Sequence, residues 1–414
     1  MLGSHAPEAV RRRFLNDVVR MDGLAKTGGT WATEQHGGSD VGATTTRAVR
    51  NGDQFALHGL KWFTSNANSG LAVATARPDG APEGSAGLGL YLVPSHLNDG
   101  RPNHYRIRRL KDKLGTKGLP TGEIDLLGAE AVEVAPPPHG FKLMMEALEY
   151  SRVHNAVGSA GMQRRALGEA LAWAKSRRTF GHVIAEYPMV QDELLRMRVE
   201  FEAGALLAFE AAIAFDEAQN DRRPWLRLAT ALAKYLTAEY AIQSCRAALE
   251  LIGGNGYTSD YPVARLMRDA QVLTIWEGPA NIQALELLRL LSPQYGGREL
   301  YCARLHGIAE TIPTSLQRLQ QALLQRMQGD AEAVGFTTRD EHAAQRFARK
   351  LLHRLSQTLA FALLCEAGVA AQQNGDDRQA HSAWRYFEQI EPRGFGVEDE
   401  VSRRAVLELL IDSQ

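Results

Sequence analysis

Glu277 stands in Thr274-Ile275-Trp276-Glu277-Gly278-Pro279-Ala280-Asn281, a carboxylate preceded by two apolar side chains and followed by Gly and Pro. Apolar surroundings raise a carboxyl pKa toward the range where a general base works well. Pro279 suits the first turn of a helix, and a carboxylate just before a helix also favours its dipole, so a structural role stays open. Four other segments carry side chains or bare backbone able to hold a ligand. In Thr33-Glu34-Gln35-His36-Gly37-Gly38-Ser39-Asp40 the Gly pair lets backbone N–H groups approach a phosphate or a flavin ring, or makes an ordinary turn. Lys61-Trp62-Phe63-Thr64 puts an aromatic and a hydroxyl on one strand face, for cofactor stacking or for core packing. Lys175-Ser176-Arg177-Arg178-Thr179-Phe180-Gly181 sets cations at a helix end, where they complement the dipole or reach a pyrophosphate. Ile252-Gly253-Gly254-Asn255-Gly256-Tyr257 is a helix C-cap or a close approach to a nucleotide.

The elements that position these segments fall into distinct stretches. Residues 1–29 hold a short basic amphipathic helix, Glu8–Val19, that runs into Gly-rich turns. Residues 30–135 are rich in Gly and Thr with short alternating apolar runs between turn signals such as Asn51-Gly52-Asp53, which predicts an antiparallel β-barrel or sandwich. Pro136-Pro137-Pro138 reads as a stiff linker. Residues 140–291 turn helical, with apolar residues three and four apart over 141–175, 187–218 and 225–251, the pattern of a helix bundle. Residues 292–414 continue as a helical extension, with one stripe at Leu316, Leu319, Leu323 and Met327 and another at Leu351, Leu355 and Leu359. The fold class is therefore α+β, mainly α.

Read together and in this order, the five segments resemble the acyl-CoA dehydrogenase superfamily over roughly residues 23–291. The family pattern is a Thr-Glu-x-x-x-Gly-Ser-Asp turn, a Trp-x-Thr strand, an Arg-x-Thr-Phe-Gly helix end, a Gly-Gly-x-Gly turn and an aromatic-Glu-Gly site. Arg109-Leu110-Lys111-Asp112-Lys113-Leu114-Gly115, Thr44-Thr45-Thr46-Arg47, Glu250 and Asn281 are similar to the adaptive-response AidB-like branch, as is the helical extension. The resemblance implies FAD, oxidation of an acyl-CoA thioester to the 2-enoyl-CoA, and Glu277 as the α-proton base with flavin N5 as hydride acceptor. It implies that Thr33, Gly38 and Ser39 contact flavin and pyrophosphate, Trp62 packs on the flavin and Thr64 hydrogen-bonds near N5. Arg177, Thr179 and Phe180 would reach the adenine-diphosphate portion from a neighbouring subunit, with Gly253, Gly254 and Asn281 beside it and Arg152 at the substrate. Some members carry their base just before that Arg; Ser151 here leaves Glu277.

Glu250, Pro188 and Pro279 depart from the family pattern at the adenosine end. The resemblance implies a longer N-terminal helical domain than residues 1–29, so the expectation is either that the chain is a fragment or mis-started, or that another subunit supplies those helices. The resemblance also implies a homo-oligomer, dimer or tetramer, and an electron-transfer flavoprotein as a partner. The alternative reading is an AidB-like flavin-containing protein with little turnover, acting in alkylation stress or nucleic-acid binding. A net charge of -1 argues against nucleic acid. The basic cluster Arg346, Arg349, Lys350 and Arg354 reads as a solvated helix face, offset by Glu391, Glu398, Asp399 and Glu400. Trp384, Tyr386 and Phe387 read as core. Cys245, Cys302 and Cys365 fit no metal or disulfide pattern, so no metal is expected. No membrane span is visible, and a cytoplasmic protein is the default.

Overall fold

The computed structural model describes residues 2–217, 223–337, 340–391 and 399–412. The chain forms two compact units, Met1–Tyr150 and Ser151–Gln414.

The first unit opens with helices α1 (Leu2–His5) and α2 (Glu8–Val19) and then gives seven strands, β1 (Gly28–Trp31), β2 (Arg47–Asn51), β3 (Gln54–Ser65), β4 (Leu71–Pro78), β5 (Gly89–Pro94), β6 (Tyr105–Leu110) and β7 (Thr121–Ala135). They pair in the order β1-β4-β2-β3-β7-β5, and β5 returns to β4, so β2, β3, β7, β5 and β4 close into a barrel. The pairing is antiparallel except that β1 and β2 each meet β4 in parallel. β7 is long enough to pair with β3, β5 and β6, and among the described residues β6 pairs with no other strand.

Alternation along the strands divides the side chains between two cores. Ala72, Ala74, Tyr91 and Val93 join one with Trp31, Leu57 and Ile124. Leu71, Leu90 and Leu92 join the other with Val10 and Phe14 of α2 and with Leu143 and Met144.

The second unit is helical. Helix α3 (His139–Ser176) runs into it from the first unit and ends at a two-residue hairpin of β8 (Arg178–Thr179) and β9 (His182–Val183). Then come α4 (Pro188–Glu217), α5 (Arg223–Ile252), α6 (Pro262–Ala270), α7 (Ala280–Leu290), α8 (Gly297–Thr311), α9 (Gln317–Thr337), α10 (Glu341–Gln373), α11 (Arg378–Ile390) and α12 (Glu400–Asp412). A single apolar core runs from Ala156 of α3 to Leu410 of α12, so the last five helices share the bundle's interior. Trp384, Tyr386 and Phe387 are buried in it, with Phe387 stacked near Phe361 and Trp384.

Among the described residues, no helix is long and apolar enough to cross a membrane. Cys245 and Cys365 are buried, Cys302 is half-buried, and none is in a disulfide.

Candidate active site

The stretch that carries Glu277 is gripped by three helices of the second unit. It leaves α6 through a 3-10 turn, Gln271–Thr274, and reaches α7 through Pro279, which caps that helix. Glu277 has φ +59 and Gly278 φ +95. The left-handed region suits Gly but strains Glu, at a cost of about 1–2 kcal/mol.

Four side chains hold this conformation. Asn155 of α3 donates to Leu273 O at 3.3 Å, and Arg152, three residues earlier on that helix, donates from Nε to Glu277 O at 3.0 Å. Gln283 of α7 donates to Glu277 O at 2.9 Å and to Gly278 O at 3.2 Å. Lys234 of α5 donates from Nζ to Gly278 O at 2.8 Å. All four are buried, so bonds to the main chain hold the turn.

The surroundings of Glu277 differ from those expected. Ile275 points outward and is 64% exposed, while Lys234 and Arg152 bring cations close. Burial draws the Lys234 ammonium down to about 8, against the pull of Glu277.

Arg177 and the Gly turn after α5 are linked within the second unit. The Arg177 guanidinium lies 5.6 Å from the Trp173 ring centre, and Trp173 meets Tyr261 edge-on at 5.7 Å. Asn255 Nδ2 donates to Tyr261 Oη at 3.3 Å, which brings the hairpin's base beside the Gly253–Tyr257 turn. Gly253 follows α5 directly at φ +75, the left-handed C-cap. A Cβ on Gly253 or Gly254 would meet nothing within 4 Å, so both present bare backbone to open space. Thr179 pairs with His182, and Phe180 and Gly181 between them have φ +51 and +87, which defines a type I′ turn. Phe180, at the tip, is 96% exposed. Asn281 is exposed on the first turn of α7.

The first unit holds the remaining candidates. Trp62 N donates to Thr33 O at 2.9 Å, and a Cβ on Gly38 would come within 2.7 Å of Thr33 Oγ1. Thr33, Gly38 and Trp62 are therefore brought together, with Ser39 exposed beside them. Lys111 Nζ covers one face of the Trp62 indole at 3.3 Å, so only the other face or the edge is open to a ligand. Thr64 is fully buried and its hydroxyl donates to Gly122 O at 2.7 Å.

Beneath Thr33 lies a buried ion pair, Glu34 with Lys61 at 2.9 Å. Glu34 also accepts from the backbone N–H and hydroxyl of both Thr45 and Thr46, and Lys61 donates to Thr75 O at 2.8 Å. Burial alone would raise Glu34, but Lys61 and the two threonines outweigh it and hold the carboxyl down to about 2. Glu34, Gln35, His36, Thr45 and Leu60 line a surface cavity of about 330 Å³.

The sequence reading named no role for Lys234, Gln283, Asn155, Glu34 or Lys61. Lys234 had a signal: it is a single charge inside Ala231-Leu232-Ala233-Lys234-Tyr235-Leu236. Of the basic cluster on α10, Arg349 pairs with Glu239, Arg354 with Asp330 and Glu391, and Arg346 and Lys350 flank the Phe347 ring. Asp399 pairs with Arg318 and Glu400 with Arg403, while Glu398 and Ala218 lie outside the described residues. Among the described residues no cluster of His, Cys, Asp or Glu could hold a metal ion.

Known proteins give this architecture a family. Residues 29–128 match the acyl-CoA dehydrogenase middle domain and residues 138–291 the acyl-CoA dehydrogenase C-terminal domain. The chain belongs to the acyl-CoA dehydrogenase family. Acyl-CoA dehydrogenase family member 11 of Caenorhabditis elegans is 33% identical over 90% of this chain and 64% of its own length. Putative acyl-CoA dehydrogenase AidB of Escherichia coli is 34% identical over 71% of this chain and 54% of its own. Glutaryl-CoA dehydrogenase of Desulfococcus multivorans is 32% identical over 67% of this chain and 69% of its own. Among solved structures, Caenorhabditis elegans ACDH-11 in complex with C11-CoA superposes with a TM-score of 0.88 at 29% identity, over 94% of this chain and 68% of that one. The chain thus spans less than two thirds of the length of the first two relatives.

Proposed function

We propose that this chain takes part in the FAD-dependent oxidation of an acyl-CoA thioester to the 2-enoyl-CoA, with Glu277 as the base. The observation that carries the reading is the strained turn at Glu277, whose main chain is held by Arg152, Gln283 and Lys234. Backbone strain of this kind persists only where the surroundings over-determine it, and it clusters at reactive positions. Glu277 takes the α-proton, and the electron pair left behind becomes the new double bond as the β-hydrogen departs with its own pair. Bound FAD would supply the acceptor for that hydride. Arg152 would orient the substrate end while fixing Glu277.

The residues fit a flavin on two counts. Gly38, pressed against the Thr33 hydroxyl, keeps the main chain bare beside the half-buried Trp62, a donor set suited to a flat heteroaromatic edge. Thr33, Gly38, Ser39 and Trp62 would hold that end; Thr64, buried with its hydroxyl donating to Gly122 O, would support the strand beneath it. Arg177, Thr179, Phe180, Gly253, Gly254 and Asn281 would hold a diphosphate and adenine through a cation and open Gly backbone. The exposed Phe180 suits a homo-oligomer, dimer or tetramer, in which the tip reaches a neighbouring protomer's cofactor. An electron-transfer flavoprotein would reoxidise the flavin.

The test is an anaerobic absorbance spectrum of the FAD-loaded chain before and after acyl-CoA thioesters, beginning near the eleven-carbon chain seen in the solved relative. Flavin bands should bleach with a matching thioester, and Glu277→Gln should keep the colour and lose at least a thousandfold in bleaching rate, roughly the upper range for losing a positioned base. Bleaching at an unchanged rate in Glu277→Gln removes Glu277 from the role.

A further inference from the structure

We propose that Lys234 is a positioning residue for the Glu277 carboxylate, holding the turn that carries it and supplying the cation that faces it. The proposal rests on the reading of Glu277 as the base.

Lys234 is 1% exposed in the middle of α5, with its ammonium 2.8 Å from Gly278 O. Burying an ammonium costs several kcal/mol unless bonds and opposite charge offset it. The Gly278 carbonyl does not need a charge, because Gln283 already donates to it from a neutral amide. A lysine at this position is useful where a carboxylate has to be kept ionised and in place. The charged groups facing it are Glu277 on the turn before α7, Arg152 on α3 and Glu239 on α5. Burial is the largest influence on the ammonium, Glu277 and Glu239 stabilise it, and Arg152 opposes it. The attraction is mutual, so the ammonium favours the ionised Glu277 by as much as Glu277 favours the ammonium.

Charge and hydrogen bond can be separated by substitution. Lys234→Gln keeps a donor for Gly278 O and removes the cation, whereas Lys234→Arg keeps the cation. The measurement is a carbon-13 NMR titration of the full chain labelled at the Glu carboxyls, without cofactor or substrate, with Glu277 assigned by its absence in Glu277→Gln. In Lys234→Gln the Glu277 midpoint should rise by about one pH unit, the lower end of what a neighbouring opposite charge produces. In Lys234→Arg it should stay within about 0.3 of the unsubstituted chain, by the same Coulomb argument. An unchanged midpoint in Lys234→Gln overturns the proposal. If that variant does not fold, a shift of a full unit in Lys234→Arg overturns it instead. Exchange of the thioester α-hydrogen with solvent deuterium keeps the two readings apart. Glu277→Gln that exchanges as fast as the unsubstituted chain removes the base assignment, while the Lys234 titration still reports on the carboxylate.

Discussion

Lys61 and Glu34 show how one buried pair fixes the loop that follows Thr33. Glu34 follows Thr33, its carbonyl accepts from Gly37 N, and its carboxylate ties Thr45 and Thr46 to Lys61. Losing Lys61 leaves a carboxylate buried with hydroxyl and amide partners alone. Lys61→Met should therefore destabilise the chain by about 3–5 kcal/mol, and adding Glu34→Gln should recover most of that. Urea unfolding of the single and double variants measures both. The pH dependence has a definite sign. Glu34 is held down to about 2, below the ordinary Glu value of 4.5, so its contribution is complete above pH 4.5 and is lost as pH falls toward 2. Between pH 5 and pH 3 the Glu34→Gln chain should lose less stability than the unsubstituted one. The local sequence displayed the Thr-Glu and Lys-Trp-x-Thr segments but not their pairing, because the partners lie 27 positions apart and meet only through long-range contacts.

Helix α9 carries two glycines with opposite predicted responses. Gly329 leaves room for Arg354: a Cβ there would lie 2.4 Å from its guanidinium, which is tied to Asp330 at 2.8 Å. Gly335, six residues on, would meet nothing within 4 Å. Gly335→Ala should stabilise by roughly 0.5–1 kcal/mol through helix propensity alone. Gly329→Ala should destabilise by about 1–3 kcal/mol, since displacing the guanidinium strains its pair with Asp330. Thermal unfolding of the two variants side by side distinguishes them, and equal shifts would contradict the packing argument. The helices themselves were legible, because their apolar spacing is long and regular; 225–251 became Arg223–Ile252. Strands β1, β2, β6 and β7 were not singled out. In β6 every residue from Arg106 to Leu110 is exposed, so there is no buried stripe to mark it. In β7 the first six residues are all buried, including Glu123 and Asp125, which erases the alternation.

Across the molecule, the family and the fold class could be read from five short segments, because each is defined by residue type at fixed local spacing. What holds those segments was out of reach. Arg152 reaches Glu277 across 125 positions and Lys234 reaches Gly278 across 44, so no local pattern records either bond. The parallel pairing of β1 and β2 with β4 was hidden for the same reason, since it depends on where distant strands meet. The charge balance held more information than the cluster it was applied to. Arg349 and Arg354 are matched by Glu239 and Asp330 on other helices, not chiefly by the acidic residues nearer the C-terminus.

The left-handed backbone at Glu277 has a bearing on selection. Gly adopts φ +59 without strain, so in a chain whose Lys234 is already neutral (Lys234→Gln), where the carboxylate no longer offsets that buried ammonium, adding Glu277→Gly should leave the fold as stable or firmer by up to about 1 kcal/mol, as a calorimetric midpoint would report. A library built on that background and scored only by survival of heat would accept glycine at that position and discard the carboxylate. Glutamate there is favoured by a pressure other than folding, and the same screen run twice, once for heat resistance and once for turnover, should rank position 277 in opposite orders.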